Sequence, residues 1–159
     1  MTARTALIYH SHRMDADETR SPGPVALARF TRQKTILLKT RKRDGTWVGT
    51  PVSIAVRGDH AYIRTYDKSW KSKRLANFPN VRFAPSTFRG RPSGPEVDAQ
   101  ARLLDGEEAS GAASLLARKY PLLHGLLVPI SHRLMRTKTL HYELSQVQEA
   151  EPSSEVPSP

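Results

Sequence analysis

The sequence predicts a mainly β fold, an antiparallel β-barrel with inserted helices, and three observations predict it. Short apolar segments recur with the two-residue period of a strand. Turn pairs such as Asp44-Gly45 and Gly58-Asp59 separate them at hairpin spacing. The helical stretches fall between strands without the regular alternation that builds a parallel sheet.

Residues 1–24 hold few apolar side chains, end in Ser21-Pro22-Gly23-Pro24, and read as a disordered arm in which Met14 is an alternative start. One barrel domain is expected over 25–147. Thr35 to Thr40 is its first strand, with the apolar run Ile36, Leu37, Leu38. After the Asp44-Gly45 turn, Trp47 to Val56 places Val52, Ile54 and Val56 on one face and Ser53 and Ala55 on the other. The triplet Arg57-Gly58-Asp59 is turn chemistry rather than an adhesion motif. Ala61 to Thr65 returns, and Ser69 to Phe78 switches to a short basic helix that Pro79 ends.

Val81 to Ala84 resumes the sheet. A Gly- and Pro-rich connection, Thr87 to Pro95, leads to Val97 to Leu104, where Val97, Ala99, Ala101 and Leu103 form a core face. Asp105 and Glu108 have the spacing of a capping box, and Ala109, Ala112, Ala113, Leu116 and Tyr120 then share one helical face. A second, Pro-bounded helix is expected over Leu122 to Met135, before a last strand with Leu140, Tyr142 and Leu144 inward. Residues 148–159 read as a disordered acidic Pro/Ser tail.

Composition narrows the chemistry. A chain of 159 residues supports one core. No apolar run approaches the roughly 20 residues of a membrane span, and Met1 to Pro24 lacks the pattern of an export leader. The absence of cysteine excludes disulfides, thiolate nucleophiles, iron–sulfur clusters and cysteine zinc sites, and a cytoplasmic location without a membrane partner is expected. No serine sits in a glycine-flanked hydrolase elbow. His10 and His12 lack carboxylates at ligand spacing, so no metal site is expected. Neither a dinucleotide fingerprint nor a phosphate-binding loop is present.

The net charge of +10 is concentrated: Arg32 to Arg91 holds 15 Lys and Arg against 3 Asp. That segment should attract an anion. Within it, Thr65 to Pro79 runs from a strand end through a loop into the basic helix. A phosphate at that corner would meet the Thr65 and Ser69 hydroxyls, free amides of the helix N-terminus, and the Lys71 ammonium. A merely solvated basic helix face reads equally well from spacing alone.

The run KTILLKT from Lys34, through DGTWVGTPVSIAV and AYIRT to SWKSKRLANFPNVRFAPS, resembles the deazaflavin branch of the pyridoxamine 5′-phosphate oxidase-like superfamily, the PPOX-class F420-dependent enzymes. The similarity extends over roughly residues 26–145, including GPEVDAQARLLDGEEA and TLHYEL. Its core is Thr65, Ser69, Lys71, Leu75, Asn77 and Pro79. The resemblance implies the FMN-binding type of split β-barrel. It also implies that Thr65, Ser69 and Lys71 hold a cofactor phosphate with Arg74 nearby, and that the strand of Thr50, Pro51, Val52 and Ser53 lies along the ring system. A homodimer with cofactor sites at the interface, acting on a small-molecule substrate by hydride transfer, is implied as well.

Charge favours coenzyme F420 over FMN, because Lys39, Arg41, Lys73 and Arg82 remain for the carboxylates of an oligoglutamyl tail; FMN stays an alternative cofactor, and heme or bilin binding an alternative reading. Trp70, Tyr66 and Trp47 are candidates for pocket walls, and the loop Phe88 to Gly94 for a substrate cover. No acid or base is nominated. Two other classes compete: a basic nucleic-acid module, against which the aromatics fail to interleave the cations, and a cofactor carrier or sensor without turnover.

Overall fold

Alternation along the strands decides which side chains enter the core, and antiparallel pairing closes them around it. The computed structural model describes residues 24–121 and 137–151. The elements are α1 (Pro24–Ala28), β1 (Thr35–Arg41), β2 (Trp47–Arg57), β3 (His60–Tyr66), α2 (Trp70–Asn77), β4 (Asn80–Ser86), β5 (Val97–Leu103), α3 (Gly106–Lys119) and β6 (Thr139–Glu149). The six strands form an antiparallel barrel, as the sequence predicts, and they close in the order β1-β2-β3-β6-β5-β4.

Ile36, Leu38, Val52, Ile54, Ile63, Val81, Phe83, Val97 and Leu144 fill the interior. The end where β1 begins is stoppered by α1, a helix the sequence reading did not identify, and the turn after it: Ala26, Leu27 and Phe30 are buried, and the Phe30 and Phe83 rings sit 4.8 Å apart at a tilt of 58°. The opposite end is capped by Leu75 of α2, also buried in the barrel core.

Both hairpin turns form where expected. Gly45 (φ 88°) and Gly58 (φ 63°) take the left-handed conformation that a side chain resists, and Asp44 accepts from the Thr46 backbone and hydroxyl at 3.0 and 2.7 Å. Helix α3 packs on the outside of the barrel, against β2, β3 and β6. Its contact buries Ala55, so this part of β2 is covered on both faces.

Three expectations are corrected. Leu103 belongs to the inward series but is 53% exposed, because β5 outruns β4, whose pairing stops at Asn80 and Gln100. The capping box does not form: Asp105 makes no side-chain cap, and Glu108 instead grips Arg102 through two hydrogen bonds of 2.8 and 3.0 Å. The last strand runs to Glu149, so Gln148 and Glu149 are sheet rather than tail. The expected arm over 1–23, the helix over 122–135 and the end of the tail lie outside the described residues.

Candidate functional site

The local sequence explains why a corner exists at Thr65 to Arg74. β3 ends at Tyr66, and Ser69 takes the extended conformation of a helix cap, its Oγ accepting from the Ser72 N–H at 3.1 Å. Asp67 supports the turn by accepting from the Lys68 and Lys138 amides at 2.8 and 3.1 Å. The Phe78 N–H closes the helix on the Arg74 carbonyl at 2.9 Å, just before Pro79.

A row of hydroxyls runs through this corner. Thr65, buried at the inner end of β3, lies 3.0 Å from Ser69 Oγ, which lies 3.2 Å from Ser72 Oγ. Ser72 in turn donates to the Asp67 carbonyl at 2.8 Å. Arg74 reaches the barrel mouth, where its Nε donates to the fully buried Thr40 hydroxyl at 2.7 Å. Thr40 and Ser72 were not singled out from sequence. Thr40 had a signal, as the polar member of the inward series Ile36, Leu38, Thr40.

Lys71 stands apart electrostatically. Its side chain is half-buried, and among the described residues it has neither a hydrogen bond nor an ion pair. Burial first, and the neighbouring Arg74 guanidinium second, pull its ammonium down to about 8. The first turn of α2 contains no acidic residue, so its free amides and positive dipole end add to the cations rather than offset them. A half-buried cation beside a second cation at a helix N-terminus is unfavourable alone. It becomes favourable when an anion joins it.

Strand register places β2 beside this corner. β2 pairs with β1 along Trp47 to Ser53, but with β3 only from Ile54 to Arg57. Between its first half and the end of β3 the barrel therefore opens as a wedge, unpaired among the described residues. α2 contacts β1 and β3, the two strands that flank β2 in the barrel order, and so sits across the wedge mouth.

The structure thus sets Thr65 beside Ser69 at the start of α2, whose first turns carry Lys71 and the Arg74 that influences it, with the free edge of Thr50 to Ser53 across the opening. The side chains along that edge diverge. Thr50 is half-buried opposite Leu38, Val52 is in the core, Ser53 lies outward opposite Thr35, and Pro51 faces outward. The loop from Thr87 to Pro95 folds back over Pro51: a Cβ on Gly90 would stand 3.4 Å from it. The edge offers the wedge its backbone and Thr50. Trp70 projects from the first turn of α2, 73% exposed, with the Lys73 ammonium 4.5 Å from its ring centre.

The cations assigned to a longer anion divide into two pairs. Lys39 forms an ion pair with Glu96, and Arg82 one with Asp98 at 2.9 Å. Arg41, stacked on Phe78 at 6.0 Å, and Lys73 have no carboxylate partner among the described residues. Phe88 is 76% exposed at the loop tip, with Arg89 over its ring at 5.3 Å.

No family model matches the chain, and no curated protein matches it. Solved structures do. A protein from Listeria innocua named as a candidate pyridoxamine 5′-phosphate oxidase is similar over 79% of this chain and 95% of its own, at 14% identity and a TM-score of 0.54. A heme-binding protein from Mycobacterium smegmatis is similar over 79% of this chain and 51% of its own, at 15% identity and a TM-score of 0.57; the chain spans about half its length. A third, a domain-swapped dimer, is similar over 70% and 80%, at 16% identity and a TM-score of 0.50. The fold is that of the split β-barrel proteins related to pyridoxamine 5′-phosphate oxidase. Among the described residues no helix is long and apolar enough to cross a membrane, and no group of His, Asp or Glu is placed to hold a metal.

Proposed function

We propose that the protein is an oxidoreductase that binds coenzyme F420 in the wedge between β2 and the β3–α2 corner. One observation carries the reading: half-buried Lys71, without a side-chain partner among the described residues, shares the start of α2 with Arg74 and with the Thr65–Ser69 hydroxyl pair, a donor set that suits an anion. The donor set fits a phosphate, since hydroxyls, an ammonium and helix amides all donate to one. When bound, such a cofactor supplies a hydride to an electron-poor double bond of a small organic substrate.

The chain's own residues bind, orient and exclude water. Lys71, Thr65 and Ser69 hold the phosphate, and Arg74, fixed by Thr40, keeps the barrel mouth positive. The free edge of Thr50 to Ser53 aligns the ring system. Arg41 and Lys73 stand ready for tail carboxylates. Trp70, exposed beside the wedge, needs a second copy of the chain to become a wall, and we assign the working form to a homodimer with the site at the interface. No side chain here is assigned as an acid or base.

A second reading has its own observation. Glu96 and Asp98 already engage Lys39 and Arg82, so two cations expected to serve a long anionic tail are taken, which favours FMN with its single phosphate. The test is to titrate the purified protein with F420, FMN and heme, following cofactor fluorescence or absorbance, and to repeat it with Lys71→Ala. F420 should bind best, and the substitution should cost about 1.5–3 kcal/mol of binding, the range for hydrogen bonds to charged groups. Tighter FMN binding moves the assignment to the second reading, and equal binding by the variant removes the site.

A further inference from the structure

We propose that Lys71 is a modification site: its Nζ takes the acyl group of an acyl phosphate, and the acylated side chain no longer holds a cofactor phosphate. The second half rests on the wedge assignment above; the acylation does not.

The chain has eight lysines, all among the described residues, and burial together with engagement sorts them. Lys34, Lys42, Lys68, Lys73 and Lys138 are exposed, and the other three are half-buried. Of these, Lys39 is held by Glu96, and Lys119 Nζ donates to the Gln33 and Ile54 carbonyls at 2.6 and 2.8 Å. Only Lys71 joins burial to the lack of a side-chain partner among the described residues. Lys119 supplies the contrast. Burial pulls both ammonium groups down, but two carbonyls keep the Lys119 protons engaged, whereas at Lys71 the Arg74 guanidinium adds to the effect of burial. A desolvated amine next to another cation is the activated form of a lysine nucleophile.

The surroundings of Lys71 select the electrophile. The Trp70 and Lys71 amides, in the first turn of α2, have no acceptor among the described residues, and that turn carries no acid. Ser69 Oγ, 3.0 Å from the Thr65 hydroxyl, caps the same turn. Donors so placed hold a phosphate dianion and stabilise the charge on its departing oxygen. In the step, the Nζ lone pair bonds to the acyl carbon, the bond from that carbon to the phosphate oxygen breaks, and inorganic phosphate leaves with one amine proton. No other reactant is needed, and the product is a neutral amide. Acylation thus removes a half-buried charge and leaves the corner one ammonium short, which is why it weakens the hold on a phosphate.

The test incubates the full chain with acetyl phosphate at neutral pH, without cofactor, and follows acetylation of each lysine by peptide mass spectrometry. Lys71 should react at least about tenfold faster than Lys68, Lys73 and Lys119, as the larger free-amine fraction of a desolvated, unengaged lysine implies. Inorganic phosphate should slow Lys71 and leave Lys68 unchanged. The N-hydroxysuccinimide ester of acetic acid, which carries no phosphate, should show a smaller preference for Lys71. A Lys71 rate no higher than that of Lys68, in protein whose circular dichroism is native, overturns the proposal. So does a preference for Lys71 that phosphate fails to slow or that the ester shows in full. Protein acetylated at Lys71 should then bind F420 or FMN about 10–100-fold more weakly, and unchanged binding overturns the second half. Because the rates are read without cofactor, slow acetylation leaves the wedge to be decided by the Lys71→Ala titration, and equal binding in that titration removes the wedge without touching the rates.

Discussion

Lys71 concentrates the conflict between stability and function at the residue scale. In the native chain its ammonium releases a proton at about 8, against 10.5 in an unfolded one. Below about pH 8 both states hold the proton, and the charge penalises the fold in full. Between these values the unfolded chain binds more protons, so the free energy of unfolding rises with pH and the penalty fades. Lys71→Met, which keeps the aliphatic stem, should therefore raise the melting temperature of the empty protein at pH 7 by a few degrees, about 2–4 °C for each kcal/mol gained. Calorimetry checks this. The same variant should bind a phosphate-bearing cofactor about 10–100-fold more weakly. In the natural chain, affinity measured at pH 9.5 should fall below that at pH 7, and in the variant the two should match.

The hydroxyls around Lys71 were legible as residue types at a spacing; their geometry was not. Thr65 and Ser69 meet because a strand end and a helix cap are four residues apart, a local fact that sequence carries. Arg74 meets Thr40 across 34 positions, and Lys39 meets Glu96 through the fold, so neither pairing has a sequence signal. Ser69→Ala should lower stability by about 1 kcal/mol through the lost cap. Urea denaturation with and without cofactor would separate that cost from a binding role.

At the scale of elements, α3 fixes β2 at the point where it leaves β3. Tyr120, just past the helix end, shares its single hydroxyl proton between the Ile54 and Lys34 carbonyls, both at 2.6 Å, and Lys119 donates to the Ile54 and Gln33 carbonyls at 2.8 and 2.6 Å. Burial pushes the Tyr120 phenol up to about 12, so it stays a donor throughout the ordinary pH range. Tyr120→Phe removes one donor from carbonyls that Lys119 and the Ile54 amide still serve and should cost about 0.5–1.5 kcal/mol, read as a lower denaturant midpoint with unchanged slope. The helix face of Ala112, Leu116 and Tyr120 was readable from its period, but the strand it clamps was not. The five-residue α1 was hidden because so short a segment shows no period, and its burial is decided by distant strands.

For the whole molecule, alternation and turn chemistry made the barrel legible, since each hairpin joins strands that become neighbours. Closure was not, because β4 returns to β1 and β6 reaches β3 by pairings remote in sequence. One interior holds the β1, β2, β4 and α1 side chains together, so Phe83→Ala should cost about 3–5 kcal/mol and loosen the wedge along with the core. The uneven charge is likewise a property of the assembled barrel: Arg102 is absorbed by Glu108 and Glu143, while the first turn of α2 holds no acidic residue to offset Lys71 and Lys73.

Cofactor binding in the wedge requires the β3–α2 corner to receive an anion. The most direct measurement is a crystal structure of the chain with saturating F420. The account predicts the cofactor phosphate within hydrogen-bond distance of Lys71 Nζ and the Thr65 or Ser69 hydroxyl, with the ring system along the Thr50 to Ser53 edge. A phosphate bound elsewhere, with Lys71 still partnerless, would contradict it.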